Sequence, residues 1–128
     1  MLIFGHPWIE SPRFVKVFSL DDIAKTGPED ILLLEPLSAS IELAKHCRKN
    51  GLSFAPAINS VKEALLANAL GADYVFCQFE QAIVTQKIAN EYLFDTKVLV
   101  LIKDERGIET MARFDIDGVV FPAAIHQV

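Results

Sequence analysis

The chain is short of the features that announce common functions. It has two cysteines, Cys47 and Cys77, in 128 residues, too few for a disulfide framework. Each falls on the apolar side of an expected element and is read as a buried, reduced thiol. Basic charge is scarce: 12 Lys and Arg against 17 Asp and Glu leave a formal charge of -5, so the footprint that nucleic acid requires is missing. The charges are interspersed, and neither end reads as a charged tail. No apolar run is long enough to cross a bilayer, and the opening MLIFGHPW has no basic region ahead of an apolar stretch. Neither a membrane span nor a signal peptide is expected, and the expected compartment is the cytoplasm. There are six glycines, and none forms a GxGxxG or P-loop pattern; HExxH and CxxC are absent too, so no cofactor is expected.

What is present is apolar sequence. Hydrophobic residues make up 52% of the chain and the mean hydropathy is +0.30, enough for a core and for some apolar surface. The length fits one domain, residues 1–128. The most informative stretch is Asn59–Phe79, NSVKEALLANALGADYVFCQF. Ser60 stands at a helix N-cap position with Glu63 three residues on, a capping box. Val61, Ala64 and Leu65 follow at helical spacing, and Gly71 suits the left-handed residue that ends a helix. Asp73 then precedes Tyr74-Val75-Phe76-Cys77, an unbroken apolar run typical of a strand covered on both faces.

The same grammar recurs along the chain. Further strands are expected at 1–4, 14–18, 31–34, 53–58, 97–102 and 118–121, the last ended by Pro122. Phe14 to Phe18 alternates around Lys16, an edge-strand pattern, and Pro56 is awkward in a central ladder. Helices are expected after Ser19 (Leu20, Ile23 and Ala24 inward), over 40–50 (Ile41, Ala44 and Cys47 inward), over 80–92 (Val84, Ile88 and Tyr92 on one face) and over 104–114 (presenting Ile108, Met111 and Ala112). Strand–helix alternation with short links predicts a parallel sheet covered by helices. The expectation is an α/β domain of three layers, with a mainly parallel sheet of five to six strands and helices on both faces.

Three segments, DILLLEP, SFAPAINS and EALLANALGADYVFCQF, resemble the phosphoacceptor strand, the hydroxyl-bearing strand and the following helix–strand of response-regulator receiver domains, which have a flavodoxin-like fold. That resemblance spans about Phe14 to Ile88 and implies a regulatory role. Its phosphorylation chemistry is missing: Glu35 stands where the resemblance puts the phosphorylated aspartate, Gln78 at the lysine and Phe79 at the proline. Gly5-His6 replaces the acidic pair after the first strand. SVKEALLANALGADYV is also similar to a βα unit of (β/α)8 barrel enzymes, before the phosphate site of nitronate monooxygenases and inosine monophosphate dehydrogenases. Those barrels continue into glycine-rich phosphate loops, whereas CQFEQA and FPAAI here contain no glycine, and the chain is about half the usual barrel length.

Ligands of parallel sheets sit beyond the carboxyl ends of the strands. There the sequence places His6, Glu35, Asn59, Ser60, Gln78 and Lys103, with Glu80 and His126 nearby. Glu35 or Glu80 beside His6 would make an acid–base pair, although a loop histidine bonded to a nearby carbonyl is the commoner arrangement. No spacing supports a metal site on His6, Glu35 and His126, so no metal is expected. In ALLANAL, Leu66 and Leu70 should point away from the sheet-facing stripe, the signature of a helix that meets a second copy of the chain. The first functional expectation is therefore a non-catalytic regulatory or protein-interaction module, receiver-like and homodimeric. The alternative is a small enzyme or ligand-binding protein for a phosphorylated or anionic metabolite at the strand ends. A third arrangement pairs two copies as half-barrels around one site.

Overall fold

Eight short strands and five helices succeed one another in the computed structural model, which describes residues 1–128. The strands are β1 (Leu2–Phe4), β2 (Phe14–Lys16), β3 (Ile31–Leu34), β4 (Phe54–Pro56), β5 (Tyr74–Phe76), β6 (Lys97–Leu101), β7 (Gly118–Val120) and β8 (Ile125–Gln127). The helices are α1 (Leu20–Ala24), α2 (Leu37–Lys49), α3 (Val61–Ala69), α4 (Phe79–Glu91) and α5 (Arg106–Arg113), and a 3-10 turn (Pro122–Ala124) leads into β8. Every strand pair is parallel, in two sheets of four ordered β1-β7-β6-β5 and β4-β3-β2-β8.

The two sheets adjoin along β4 and β5. Ile58 N–H donates to Phe76 C=O at 2.9 Å, Asp73 N–H donates to Phe54 C=O at 3.1 Å, and Ala57 bridges Phe76. Phe54 N–H is also turned toward β5, bonding the Asp73 carboxylate at 3.2 Å. Since donors alternate along a strand, residue 56 should donate to β5 as well, but it is Pro56 and has no N–H. The missing rung explains why the ladder is interrupted at this seam.

The continuous surface is rolled up. From β2 through β3, β4, β5, β6 and β7 to β1 is six inter-strand steps, about 29 Å in a flat sheet at ~4.8 Å a step. Yet the Phe4 and Phe14 rings lie 5.0 Å apart, edge to face, and Phe14 also meets Phe76 at 5.1 Å and Tyr74 at 6.0 Å. Only closure brings β1, β2 and β5 together. Phe121 N–H, one residue past β7, donates to Phe4 C=O at 2.9 Å and extends the β1–β7 ladder, and the 3-10 turn that follows meets the end of β1 at Gly5. Gly5 has φ +85°, and a Cβ there would lie 2.9 Å from that of Ala124, so a side chain is excluded on both counts.

The inner strands, β2 to β7, therefore have both faces covered. Phe4, Phe14, Ile31, Ala55, Leu99 and Val120 fill the interior with Tyr74 and Phe76. Val15, Val17, Leu32, Leu34, Val75, Val98, Val100 and Val119 face outward and join one cluster with residues from all five helices. The expectation of helices on both faces is thus corrected: the helices form one outer layer, because the inner face is covered by the sheet's own side chains. The expected five- to six-stranded sheet becomes eight strands in two sheets. β8 was not anticipated beyond Pro122, and it makes β2 an internal strand. One chain closes by itself, so pairing of half-barrels is not needed to complete it.

The capping logic holds at α3. Ser60 Oγ accepts from Glu63 N–H at 3.2 Å, and Glu63 accepts from Asn59 N–H at 2.7 Å and from Ser38 N–H at 3.2 Å. Gly71 has φ +84°, and Ala72 N–H reaches back to Ala67 C=O at 3.0 Å. The buried faces differ from expectation. In α3 the sheet side is Ala64 and Ala67, while Leu65 is exposed; Leu66 is exposed as expected, but Leu70 is half-buried against the core. In α4 Ala82, Thr85, Gln86 and Ala89 are buried, whereas Val84 and Tyr92 are exposed. In α1 only Ile23 is buried. Small side chains let the helices lie close to a curved sheet, and the larger ones are displaced to the flanks. α2 begins at Leu37, ahead of the expected start, and kinks at Ser40, whose hydroxyl donates to Glu35 C=O at 2.8 Å.

Candidate functional site

All strands being parallel, their carboxyl ends converge on one mouth of the barrel. A cavity of about 560 Å3 opens there, within the range that holds small organic ligands. Twelve of its seventeen lining residues are hydrophobic, among them Phe18, Leu33, Phe76, Phe79, Leu101 and Met111. The polar remainder is Lys16, Glu35, Asn59, Gln78 and Lys103.

Four of the six residues expected at the ligand edge are therefore brought together: Glu35, Asn59, Gln78 and Lys103, each lying just past the end of its strand. Gln78 is the N-cap of α4 and makes no side-chain cap bond. The fifth, Ser60, is occupied in capping α3 and lines a separate groove between α2 and α3 with Leu66 and Leu70.

His6, the sixth, is apart from the cavity. Its Nδ1 accepts from Trp8 N–H at 3.1 Å, so the ring proton sits on Nε2, which faces Glu105 Oε1 at 2.6 Å. The ring is buried edge to face against Phe121 and beside Trp8. Nδ1 braces the loop after β1 within itself, and Nε2 ties that loop to Glu105 at the start of α5. The expected partners, Glu35 and Glu80, do not pair with it; Glu105 does, because β6 lies two strands from β1, across β7, and its outgoing loop reaches the β1 end. The anticipated backbone carbonyl is likewise replaced by a carboxylate. His126, in β8, is exposed and lies outside the cavity lining, and no group of three metal-ligating side chains occurs.

Lys16 is the residue that the sequence reading passed over. It continues the inward row of Phe14 and sits half-buried on the cavity floor, in register with Leu33. Neither Lys16 nor Lys103 forms an ion pair; the four present join His6–Glu105, Arg13–Asp30, Arg106–Asp104 and Arg113–Glu109. The signal was available. Phe14, Lys16 and Phe18 share one face by the two-residue period of a strand, opposite Val15 and Val17.

Cys77 also lines the cavity, but burial pushes its thiol up to about 12, so it stays protonated and is no nucleophile near neutral pH. Cys47, under α2, is raised to about 11 by the same cause.

The arrangement thus defines a class: an all-parallel α/β domain, rolled up, with an open cavity of mixed polarity at the strand ends. No protein-family model and no curated protein matches the chain. No helix is long and apolar enough to cross a membrane.

Proposed function

We propose that the chain is a small-molecule-binding protein and that its ligand is an organic anion held in the strand-end cavity. The observation that supports this reading is the placing of two lysines, Lys16 and Lys103, in one largely apolar cavity with no ion pair to either. An ammonium group beside apolar walls is screened less than one in open water, so a ligand anion gains more there than on the general surface. This matters in a chain whose formal charge is -5 and which repels anions elsewhere. The apolar wall supplies area for the rest of the ligand. Thermal melting with a panel of organic anions and their neutral analogues tests the reading. At a hundred times its Kd a ligand stabilises by about 2.7 kcal/mol, which in a domain of this size raises Tm by roughly 10 °C. No shift with any anion, or equal shifts with the neutral analogues, overturns the reading.

A second reading, the receiver-like interaction module that pairs with another copy, rests on Leu66, 51% exposed beside the α2–α3 groove. Light scattering on the native chain and on Leu66→Glu decides it. A native dimer that becomes a folded monomer supports pairing through α3, and a native monomer ends that reading. Leu70 is unsuitable for the test because it packs on the chain's own core.

A further inference from the structure

The polar groups of the strand-end cavity lie at two levels. Lys16 ends β2 within the ladder, on the row that begins with the interior ring of Phe14. Glu35, Asn59, Gln78 and Lys103 lie past their strands and make the rim. Two ammonium groups against one carboxylate leave the lining with a single net positive charge.

The site lacks the several cations that a phosphoryl dianion uses. No glycine and no arginine lines the cavity. The first turn of α3 is closed by Ser60 and Glu63. At the start of α2, Leu37 N–H donates to Ala57 C=O at 3.0 Å and Ser38 N–H donates to Glu63. The first turn of α4, at the rim, has no side-chain cap, but it carries the anion Glu80, whose charge opposes a dianion there. A carboxylate needs less, because one strong charge-assisted donor in a weakly hydrated setting holds it. The two lysines are not equivalent in this respect. Lys103 is exposed on the rim, close in sequence to the Arg106–Asp104 ion pair, while Lys16 is half-buried among Leu33, Phe76 and Leu101.

Resting on the ligand-binding reading above, we infer that the ligand is a monocarboxylate with a compact apolar or aromatic body. Lys16 holds the carboxylate on the cavity floor, and the body lies against Phe76, Phe79 and Met111. Lys103 stays at the rim and contributes less.

Calorimetric titration of the full chain tests this with 3-phenylpropanoate and hexanoate, their primary amides, and phenyl and hexyl phosphate. The carboxylates are expected to bind, with amides and phosphates weaker by about tenfold or more. Lys16→Met should weaken carboxylate binding by about tenfold or more, and Lys103→Met by no more than about threefold. Far-UV dichroism shows whether each variant is folded, and the carboxylate–amide comparison on the native chain stands even if Lys16→Met is not. Phosphates that bind as tightly as the carboxylates overturn the carboxylate class and leave the anion reading intact. Amides that bind as tightly, or a folded Lys16→Met of unchanged affinity, remove Lys16 as the anchor. If none of these probes binds, the inference fails, and the wider anion panel decides the broader reading separately.

Discussion

Closure of the sheet makes a quantitative demand on Phe4 and Phe14. Their rings meet at 5.0 Å with 70° between planes, although their strands are six steps apart along the ladder. Edge-to-face pairs contribute about 0.5–1.5 kcal/mol beyond the area they bury. Replacing each by leucine keeps an apolar side chain and removes the ring contact. Phe4→Leu and Phe14→Leu should each destabilise by about 0.5–3 kcal/mol, and the double variant should cost less than their sum by about 1 kcal/mol. Urea unfolding of the four proteins, compared at constant m value, measures this coupling against a total stability of about 5–15 kcal/mol. Chain connectivity alone does not dictate it. The ten residues from Phe4 to Phe14 can span about 33 Å when extended, enough for β1 and β2 to lie at opposite edges of an open sheet. In that arrangement the rings are about 29 Å apart and the two substitutions add to within about 0.3–0.5 kcal/mol. Additivity would refute the closed barrel, and with it the floor of the cavity.

Other expectations follow from local geometry. Ser60→Ala removes the cap on Glu63 N–H and should destabilise by about 1 kcal/mol, read as a drop in Tm of roughly 3–5 °C; an unchanged Tm would mean that the capping box is not formed in solution. Hydrogen bonds from Arg13 hold the Asp30 carboxyl below its ordinary 3.8. A carboxyl lowered by folding adds stability above its unfolded value and loses it as pH falls through the folded one, so the contribution is present at neutral pH and fades in the acid range below 3.8. The pair is partly exposed, so the effect is small. Asp30→Asn should narrow the gap between urea midpoints at neutral and acid pH, and an equal gap would contradict the pairing. With burial raising Cys47 to about 11 and Cys77 to about 12, both thiols should react with a disulfide reagent at pH near 8 far more slowly in the native chain than in denaturing urea. Rapid labelling of native Cys77 would show that the packing past the end of β5 opens.

How much of this was legible in the sequence depends on which physical signal each feature leaves. Capped helices and apolar strands leave local marks, and Ser60–Glu63, Gly71 and the run ILLL at β3 read correctly for that reason. Closure leaves no such mark. A strand covered by helices on both faces and a strand covered by helices outside and aromatic rings inside have the same composition, so KVLVL cannot tell the two apart. Nor does the sequence show β8, three residues after a proline that ordinarily ends a strand. The helix faces were misread by a consistent error. Size points to an apolar face at Leu65, Val84 and Tyr92, whereas close approach to a curved sheet selects Ala64, Ala67, Ala82 and Ala89.

The site was misread at the one residue that matters most for the proposed ligand. Glu35, Asn59, Gln78 and Lys103 were found because they follow strands, a positional rule that holds for any parallel sheet whether or not it binds anything. Lys16 is not among them because a charge inside a short strand reads as an exposed edge. That inference holds only when the strand has a solvated face. Val15 and Val17 turn outward toward the helices, so the other face of β2 had to be interior, and Phe14 on that face has no exposure. Lys16 on that face is half-buried, with apolar residues lining the cavity around it. The rim residues could be replaced by other polar groups without altering the fold. An apolar residue at 16 would pack the floor better, and the presence of lysine there is what the ligand reading explains and the interaction-module reading does not.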